Sequence, residues 1–525
     1  MANIIKQPCD EGVIRSAPCN NPCAKNVRPW VLAATILGSS MAMIDGTVVN
    51  VALPTLQKTL SATVIDVQWI VESYALFLAA LILVGGSLGD RFGRRRIFAY
   101  GVALFALASI WCGLSPNVNQ LIIARAVQGI GGALLVPGSL AIISASFSGE
   151  QRGRAIGTWS GFTAITSALG PVLGGWLVEN ASWRWIFFLN VPLAVIVLGI
   201  LFWRVPESRD RENSGKLDWW GALLATLGLG AIVYGLIESS NLGLTNPLVI
   251  SSLVVGALSL SAFIFVEANT RKPMMPLTLF RSRTFSGANL LTLLLYSALG
   301  GMFFFFPFNL IQVQGYSATA AGAAFLPFIL IMFVLSRWSG GLVSRYGAKL
   351  PLTLGPVIAA IGFGLFAVPS IGGSYWTTFF PAIVVLGVGM ATTVAPLTTT
   401  VMGAVKVSQA GIASGINNAV SRTAGLLAIA LFSIVALNTF NRSLDQRIAK
   451  VEIPLQVLKL LNKERTKLAG AEVPAGVSTE VSEMLKSAIA HSFLDSFRLI
   501  IFIAVGLALL SAIVASLMIK KQQKA

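Results

Sequence analysis

The chain has 525 residues, 55% of them hydrophobic and only 11% charged, with a mean hydropathy of +0.78 and a formal net charge of +17. Soluble proteins carry roughly a quarter charged residues, so this composition excludes a water-soluble fold and makes lipid the solvent for much of the surface. The positive excess would suit nucleic acid in a soluble protein, but here it sits mainly in short gaps between apolar runs, where a membrane-topology signal belongs.

A polar tail, 1–28, comes first and holds Cys9, Cys19 and Cys23. No histidine or regular CxxC spacing accompanies them, so they read as unpaired thiols rather than metal ligands. The tail has no apolar stretch followed by a cleavage signal, so no removable signal peptide is expected. Apolar stretches long enough to cross ~30 Å of hydrocarbon then recur near 30–53, 67–89, 97–115, 120–147, 153–178 and 183–203. Two more lie near 218–238 and 248–267, followed by six near 285–313, 320–343, 350–370, 376–403, 409–438 and 494–519. Each is predicted to be a helix, because an isolated strand in lipid leaves its backbone groups unpaired. The fold class is therefore an all-α polytopic membrane protein with fourteen spans.

The basic residues set the expected orientation. With the N-terminus inside, alternate short connections receive Lys25, Arg28, Arg91, Arg94, Arg95, Arg96, Arg152, Arg154, Arg204, Arg271, Arg283, Arg345 and Lys349 among others. The short loops of the other side hold only Lys58 and Arg184. Both termini, including the tail 520–525, are thus expected in the cytoplasm. The long connection 439–492 falls outside, with an amphipathic stretch at Leu455, Leu458 and Leu461 and the single histidine, His491, to which no role is given. Trp69, Trp183, Trp185 and Trp376 near one set of helix ends, and Trp30, Trp203, Trp219 and Trp220 near the other, fit aromatic belts.

The chain also repeats itself. The segment Gly86–Arg95 aligns with Gly340–Lys349, 254 residues later; Gly129, Gly131, Ala133 and Val136 align with Gly387, Gly389, Ala391 and Val394, 258 residues later. Gly157 matches Gly415 at the same spacing. Two related six-helix halves, 29–203 and 285–519, are expected, with two helices inserted between them in 204–284. Parallel repeats of this kind are a transporter architecture with the substrate site between the halves.

The residues that carry this pattern resemble a known family. The loop Gly86-Ser-Leu-Gly-Asp90-Arg91-Phe-Gly93-Arg94-Arg95, the segment Arg125-Ala-Val-Gln128-Gly129-Ile-Gly131-Gly132 and Gly170-Pro171-Val-Leu-Gly174-Gly175 resemble three signatures of the major facilitator superfamily. Asp45-Gly-Thr47-Val-Val-Asn50-Val-Ala-Leu-Pro54 resembles the first-helix signature of its fourteen-helix drug:proton antiporters. The resemblance implies the major facilitator fold and a multidrug-efflux type of activity. It also implies a latch at Gly86, Asp90, Arg91, Gly93 and Arg94, where Asp90 and Arg94 pair with each other or with helix termini of the other half. Plain anchoring accounts for Arg95 and Arg96 but not for one acid among four arginines; in the second copy Ser344 replaces that acid. For Gly170, Pro171, Gly174 and Gly175 ordinary close packing of small residues competes with the implied hinge or seal between halves, and Thr166 stands where the motif usually has a leading glycine.

Charges inside the hydrocarbon layer are costly and usually functional. Asp45 lies about eight residues, or ~12 Å, below the expected end of its helix, and Glu72 and Arg125 lie about five residues into theirs. The three are expected at comparable depth, where they could share one cavity. Burial favours a neutral carboxyl and a neighbouring arginine favours the charged one, so a carboxylate between both can load and release protons. The alternative for Asp45 and Arg125 is a static ion pair, and for Glu72 a solvated position. In the second half Arg422, Asn289, Asn309, Gln312, Asn417 and Asn418 either line the cavity or satisfy neighbouring helices. Phe303 to Phe306 reads as lipid-facing bulk, with contact to an apolar substrate as the alternative.

The expected activity is export of amphipathic, cationic organic compounds against an inward flow of protons. The partners are the small-molecule substrate, protons and the lipid bilayer, with or without an envelope-spanning efflux partner. The alternative cargo is an endogenous lipid, siderophore or other metabolite. No nucleotide-binding loop, metal-ligand cluster or Ser/His/Asp set appears, so neither an enzyme nor a cofactor is expected.

Overall fold

A computed structural model describes residues 26–147, 149–208, 218–270, 273, 275–405, 409–449, 453–473 and 477–520. The tail cysteines, Lys25 and Arg271 lie outside them. The described residues are helical and contain no strand. Among them thirteen helices are long and apolar enough to cross a membrane, and the shorter apolar helix Lys349–Leu365 occupies the remaining expected span.

The first half comprises α1 (Arg28–Thr59), α2 (Val64–Phe92), α3 (Arg94–Leu114), α4 (Val118–Ser146), α5 (Gly149–Asn180) and α6 (Asn190–Arg204). Capping defines the starts: Thr63 and Asp66 form a reciprocal box at α2, and the Asn117 side chain accepts from Gln120 N at α4. The inserted pair is α7 (Trp219–Leu242) and α8 (Pro247–Asn269), joined closely where Gly228 meets Leu260 and Gly256 meets Ile232. The pair docks through α7 onto α2, where Trp69 Nε1 donates to Glu238 Oε1 at 3.1 Å.

The second half comprises α9 (Arg283–Phe308), α10 (Leu326–Gly340), α11 (Lys349–Leu365), α12 (Phe380–Gly403), α13 (Ala410–Ile448) and α14 (Thr479–Met518). Four expected helices are interrupted. A short helix Trp185–Phe188 precedes α6, Ala318–Ala323 precedes α10 and Leu342–Tyr346 follows it, Tyr375–Thr378 precedes α12, and α9 changes its turn near its end. Proline supplies one reason: with Pro307 near its end, α9 loses a ladder donor and widens into a π turn over Asn309–Val313.

The connection expected over 439–492 is largely helix. α13 and α14 run on past the apolar core as a hairpin, with Phe440, Leu444 and Ile448 buried on one arm and Leu485, Ile489 and Phe493 on the other. Charged residues on the outer faces of these arms, such as Arg447 and Asp495 paired at 2.9 Å, hide the helices from a hydropathy reading. The amphipathic stretch forms the short helix Leu455–Glu464, with Leu461 buried and Leu455 exposed.

Two further expectations are corrected. Phe304, Phe305 and Phe306 are buried, and Phe306 packs edge-on against Phe325, Phe366 and Phe379, so this cluster is the aromatic core of the second half rather than lipid-facing bulk. Trp183 is buried against Phe187, and Trp69 is drawn inward to Glu238. Trp30, Trp185, Trp203, Trp219, Trp220 and Trp376 remain exposed, as a belt requires.

Candidate ion-pair site and interhelical contacts

Asp45 and Arg125 meet inside the first half. α1 continues to Thr59, six residues beyond its expected end, which places Asp45 roughly 21 Å from that terminus. Asp45 is 0% and Arg125 1% exposed. Arg125 Nη1 donates to Asp45 Oδ2 at 2.5 Å and to Gln128 Oε1 at 2.6 Å, while its Nε donates to the Ile70 carbonyl at 3.1 Å. Gln128 Nε2 donates to Asp45 Oδ1 and to Ser109 Oγ, both at 2.8 Å, and Asn190 Nδ2 reaches Ser109 Oγ at 3.3 Å. The guanidinium lies over the Tyr74 ring, 4.2 Å from its centre.

Six helices position this cluster: α1, α2, α3, α4, α5 only through its packing on α1, and α6. Gln128 follows Arg125 by three residues, so both side chains project from one face of α4. Ser109, Asn190 and Tyr74 were not singled out from the sequence, and Gln128 stood there only as part of the signature Arg125–Gly132, without a role of its own. Their shared signal is a polar atom in an otherwise apolar span, which by itself does not say which helix it meets.

Glu72 stands apart from the cluster. It is 0% exposed, Gln68 Nε2 donates to its Oε1 at 2.9 Å, and Oε2 has no hydrogen-bond partner. The alternative of a solvated Glu72 is therefore not what the structure shows, nor does a direct bond join Glu72 to Asp45 or Arg125. From the second half, Arg422 lies within electrostatic reach of Tyr74. Asn417 instead donates to Asn289 and Thr292 and ties α13 to α9, while Gln312 donates to Gln57 of α1.

The turn between α2 and α3 is held by its own charges. Gly93 adopts φ +116°, a conformation that side chains with a Cβ rarely take. Asp90 pairs with Arg94 at 2.8 Å, Arg91 lies over the Phe92 ring, and Gly86 faces Pro137 of α4. Glu207, beyond the end of α6, accepts from Arg95 N at 3.0 Å and Arg96 N at 3.2 Å, so its carboxylate caps the start of α3. The pairing of Asp90 with Arg94 was one of two expected arrangements. The acid that caps α3 is Glu207, which carries no such signal in the sequence, and it comes from the linker that follows α6 rather than from the second half.

The glycines of α5 face two ways. A Cβ on Gly170 or Gly174 would strike Thr47 or Val48 of α1, the helix that carries Asp45. Gly175 lies against the Ala318 carbonyl and Pro171 against Gly322, both in the short helix of the second half. Beside them Glu179 accepts from Thr319 N at 3.2 Å and from its hydroxyl. At the same end of the bundle the turn Arg465–Gly470 closes over the seam, with buried Leu468 and with Lys467 O accepting from Gln57 Nε2 at 3.0 Å.

Comparison with known proteins agrees with this architecture. Residues 35–429 match the family model of the Major Facilitator Superfamily. The chain is 34% identical over 432 residues to the multidrug resistance protein Stp of Mycobacterium tuberculosis, covering 81% of this chain and 79% of that one. It is 32% identical over 495 residues to the tetracenomycin C resistance and export protein of Streptomyces glaucescens, covering 93% and 91%. The puromycin resistance protein of Streptomyces alboniger is 34% identical, covering 81% and 84%. Among solved structures, a bacterial homologue of the lysosomal transporter Spinster superposes with a TM-score of 0.63 at 19% identity, covering 96% of this chain and all of that one. The chain belongs to the major facilitator superfamily and is a multi-pass membrane transporter, not an enzyme.

Proposed function

We propose that the chain is a proton-coupled antiporter that exports amphipathic, cationic organic compounds across the plasma membrane by alternating access between residues 29–203 and 285–519. Both termini are placed in the cytoplasm, so the end sealed by α5 and by Arg465–Gly470 faces outward. The names of three relatives, each a resistance protein and one an export protein, support drug export as the activity.

The observation that carries the coupling is the buried Asp45–Arg125 pair. A charge deep in the hydrocarbon layer is retained for a reason, and replacing a buried ion pair by apolar residues is often neutral or stabilising, so stability alone is a poor account of it. Here Arg125 is the counter-ion of Asp45. A proton arriving on Asp45 cancels the attraction and frees Arg125 and Gln128 to rearrange. Because α1 packs through Thr47 and Val48 on the glycine face of α5, a shift of α1 is passed to the seal against the second half. Glu72, buried beside Gln68 with one oxygen unpartnered, is the second proton carrier of this reading.

The test is proton movement evoked by substrate. Purified protein in vesicles with an imposed pH gradient should take up ethidium against its gradient, with matching proton release. Asp45→Asn should abolish the gradient-driven part while downhill exchange persists. Wild-type rates with an unchanged dependence on the gradient in Asp45→Asn would remove Asp45 from the coupling role.

A further inference from the structure

A cavity of about 400 Å³ lies away from the ion pair, where the inserted helices meet the seam between the halves. It falls within the ~300–1,000 Å³ typical of small-molecule sites. Its walls are Ala80 of α2, Leu229 of α7, Phe263 of α8, Leu293 of α9 and Ala419 of α13, and Phe280 belongs to the connection that leads into α9.

Two of its polar lining groups are already engaged. Ser286 Oγ donates to the Phe280 carbonyl at 2.6 Å. Asn289 Nδ2 donates to the Phe285 carbonyl, and its oxygen accepts from Asn417. Apart from Thr423, what remains is an apolar wall inside a helix bundle, which bulk water gains little by filling.

The rim supplies the second half of the argument. Arg281 and Arg283 fall between two lining residues, Phe280 and Ser286, and both are exposed. No carboxylate among the described residues forms an ion pair with either. The acid joined to this connection, Glu267, is buried and accepts from Met275 N at 3.0 Å, so it is turned inward. Two exposed guanidiniums beside an apolar slot match a phosphodiester attached to an acyl chain, and basic pockets between spanning helices on the cytoplasmic side bind anionic lipid headgroups.

We propose that this cavity is a binding site for an anionic phospholipid of the cytoplasmic leaflet, with one acyl chain in the cavity and the phosphate at Arg281 and Arg283. The leaflet rests on the orientation proposed above; the binding itself does not. The bound chain wedges α7 and α8 against α2, α9 and α13, which gives the inserted pair a role in holding the seam between the halves.

Native mass spectrometry of the full chain in detergent, with equal phosphatidylglycerol and phosphatidylcholine, tests this without transport. Wild type should retain phosphatidylglycerol in preference. Arg281→Ala/Arg283→Ala, at exposed positions, should lower that preference by roughly tenfold or more. Arg345→Ala/Lys349→Ala, which removes the same charge from the same end of the bundle, should leave it unchanged. Ala419→Phe, which fills the slot, should displace the lipid, and Asp45→Asn should retain it, so that the outcome is independent of proton coupling. An equal loss in the Arg345/Lys349 control would reduce the effect to surface charge and overturn the site. Unchanged preference without the two arginines, or lipid retained by Ala419→Phe, would also overturn it. So would ethidium binding lost in Ala419→Phe with lipid retained in all variants, because the cavity would then be a substrate vestibule.

Discussion

Gly322 lies against the carbonyl oxygen of Pro171, so closely that a Cβ on Gly322 would overlap it. This contact joins α5 of the first half to the short helix Ala318–Ala323 of the second, and Gly175 repeats it against Ala318. Gly322→Leu is therefore a wedge at the sealed end. Overpacking of this kind costs about 1–3 kcal/mol, and here the cost falls on one conformation. Transport should drop strongly with near-normal membrane levels, and a cysteine at Gln312 should react faster with a soluble maleimide than in the parent. Unchanged reactivity would mean that the seal is not what opens.

The proposed orientation has its own readout. A cysteine replacing exposed Glu480, at the start of α14, should be labelled by an impermeant maleimide in intact cells. Native Cys19 should be protected until the membrane is permeabilised. Labelling of Cys19 from outside inverts the orientation and with it the direction of transport.

The turn between α2 and α3 separates two roles. Glu207→Gln removes the charge that caps α3, worth about 1 kcal/mol at a partly exposed helix start, so its main effect should be a lower thermal midpoint with transport retained. Asp90→Asn leaves the cap in place and removes the partner of Arg94. It should keep the midpoint and lose transport. If both variants behave alike, the turn is a structural cap and nothing more.

The sequence made the spans legible because lipid demands long apolar helices, and it made Asp45 and Arg125 legible because charge is rare there. What it left out follows from the same physics. The arms of α13 and α14 beyond the core are half apolar and half charged, so hydropathy alone placed them in a loop. Phe306 looked lipid-facing because an apolar residue carries no mark of which neighbour it meets. Ser109 and Asn190 were missed, and Gln128 was given no role beyond its signature, because a neutral polar residue in an apolar span is a weaker signal than a charge. Only the helix arrangement shows that Gln128 and Asn190 meet Asp45 and that Ser109 accepts from both of them.

The ion pair gives a prediction that separates stability from coupling. Asp45→Asn leaves the Arg125 guanidinium buried without its counter-charge, and removing one partner of a buried pair costs about 3–5 kcal/mol. The single variant should therefore be less heat-stable in detergent as well as uncoupled, and loss of transport alone could reflect either. Arg125→Gln on the Asp45→Asn background removes the stranded charge while keeping amides able to bond with Gln128 and the Ile70 carbonyl. The double variant should regain most of the lost thermal stability, since the cost lay in the unpaired charge rather than in the missing pair. It should not regain proton-driven efflux, because no titratable group remains at that position. Recovery of both would show that the pair is a structural clamp and would shift the proton to Glu72. Recovery of stability without efflux, with Glu72→Gln on the wild-type background changing the proton-to-substrate ratio but not expression, would leave Asp45 as the coupling carboxylate.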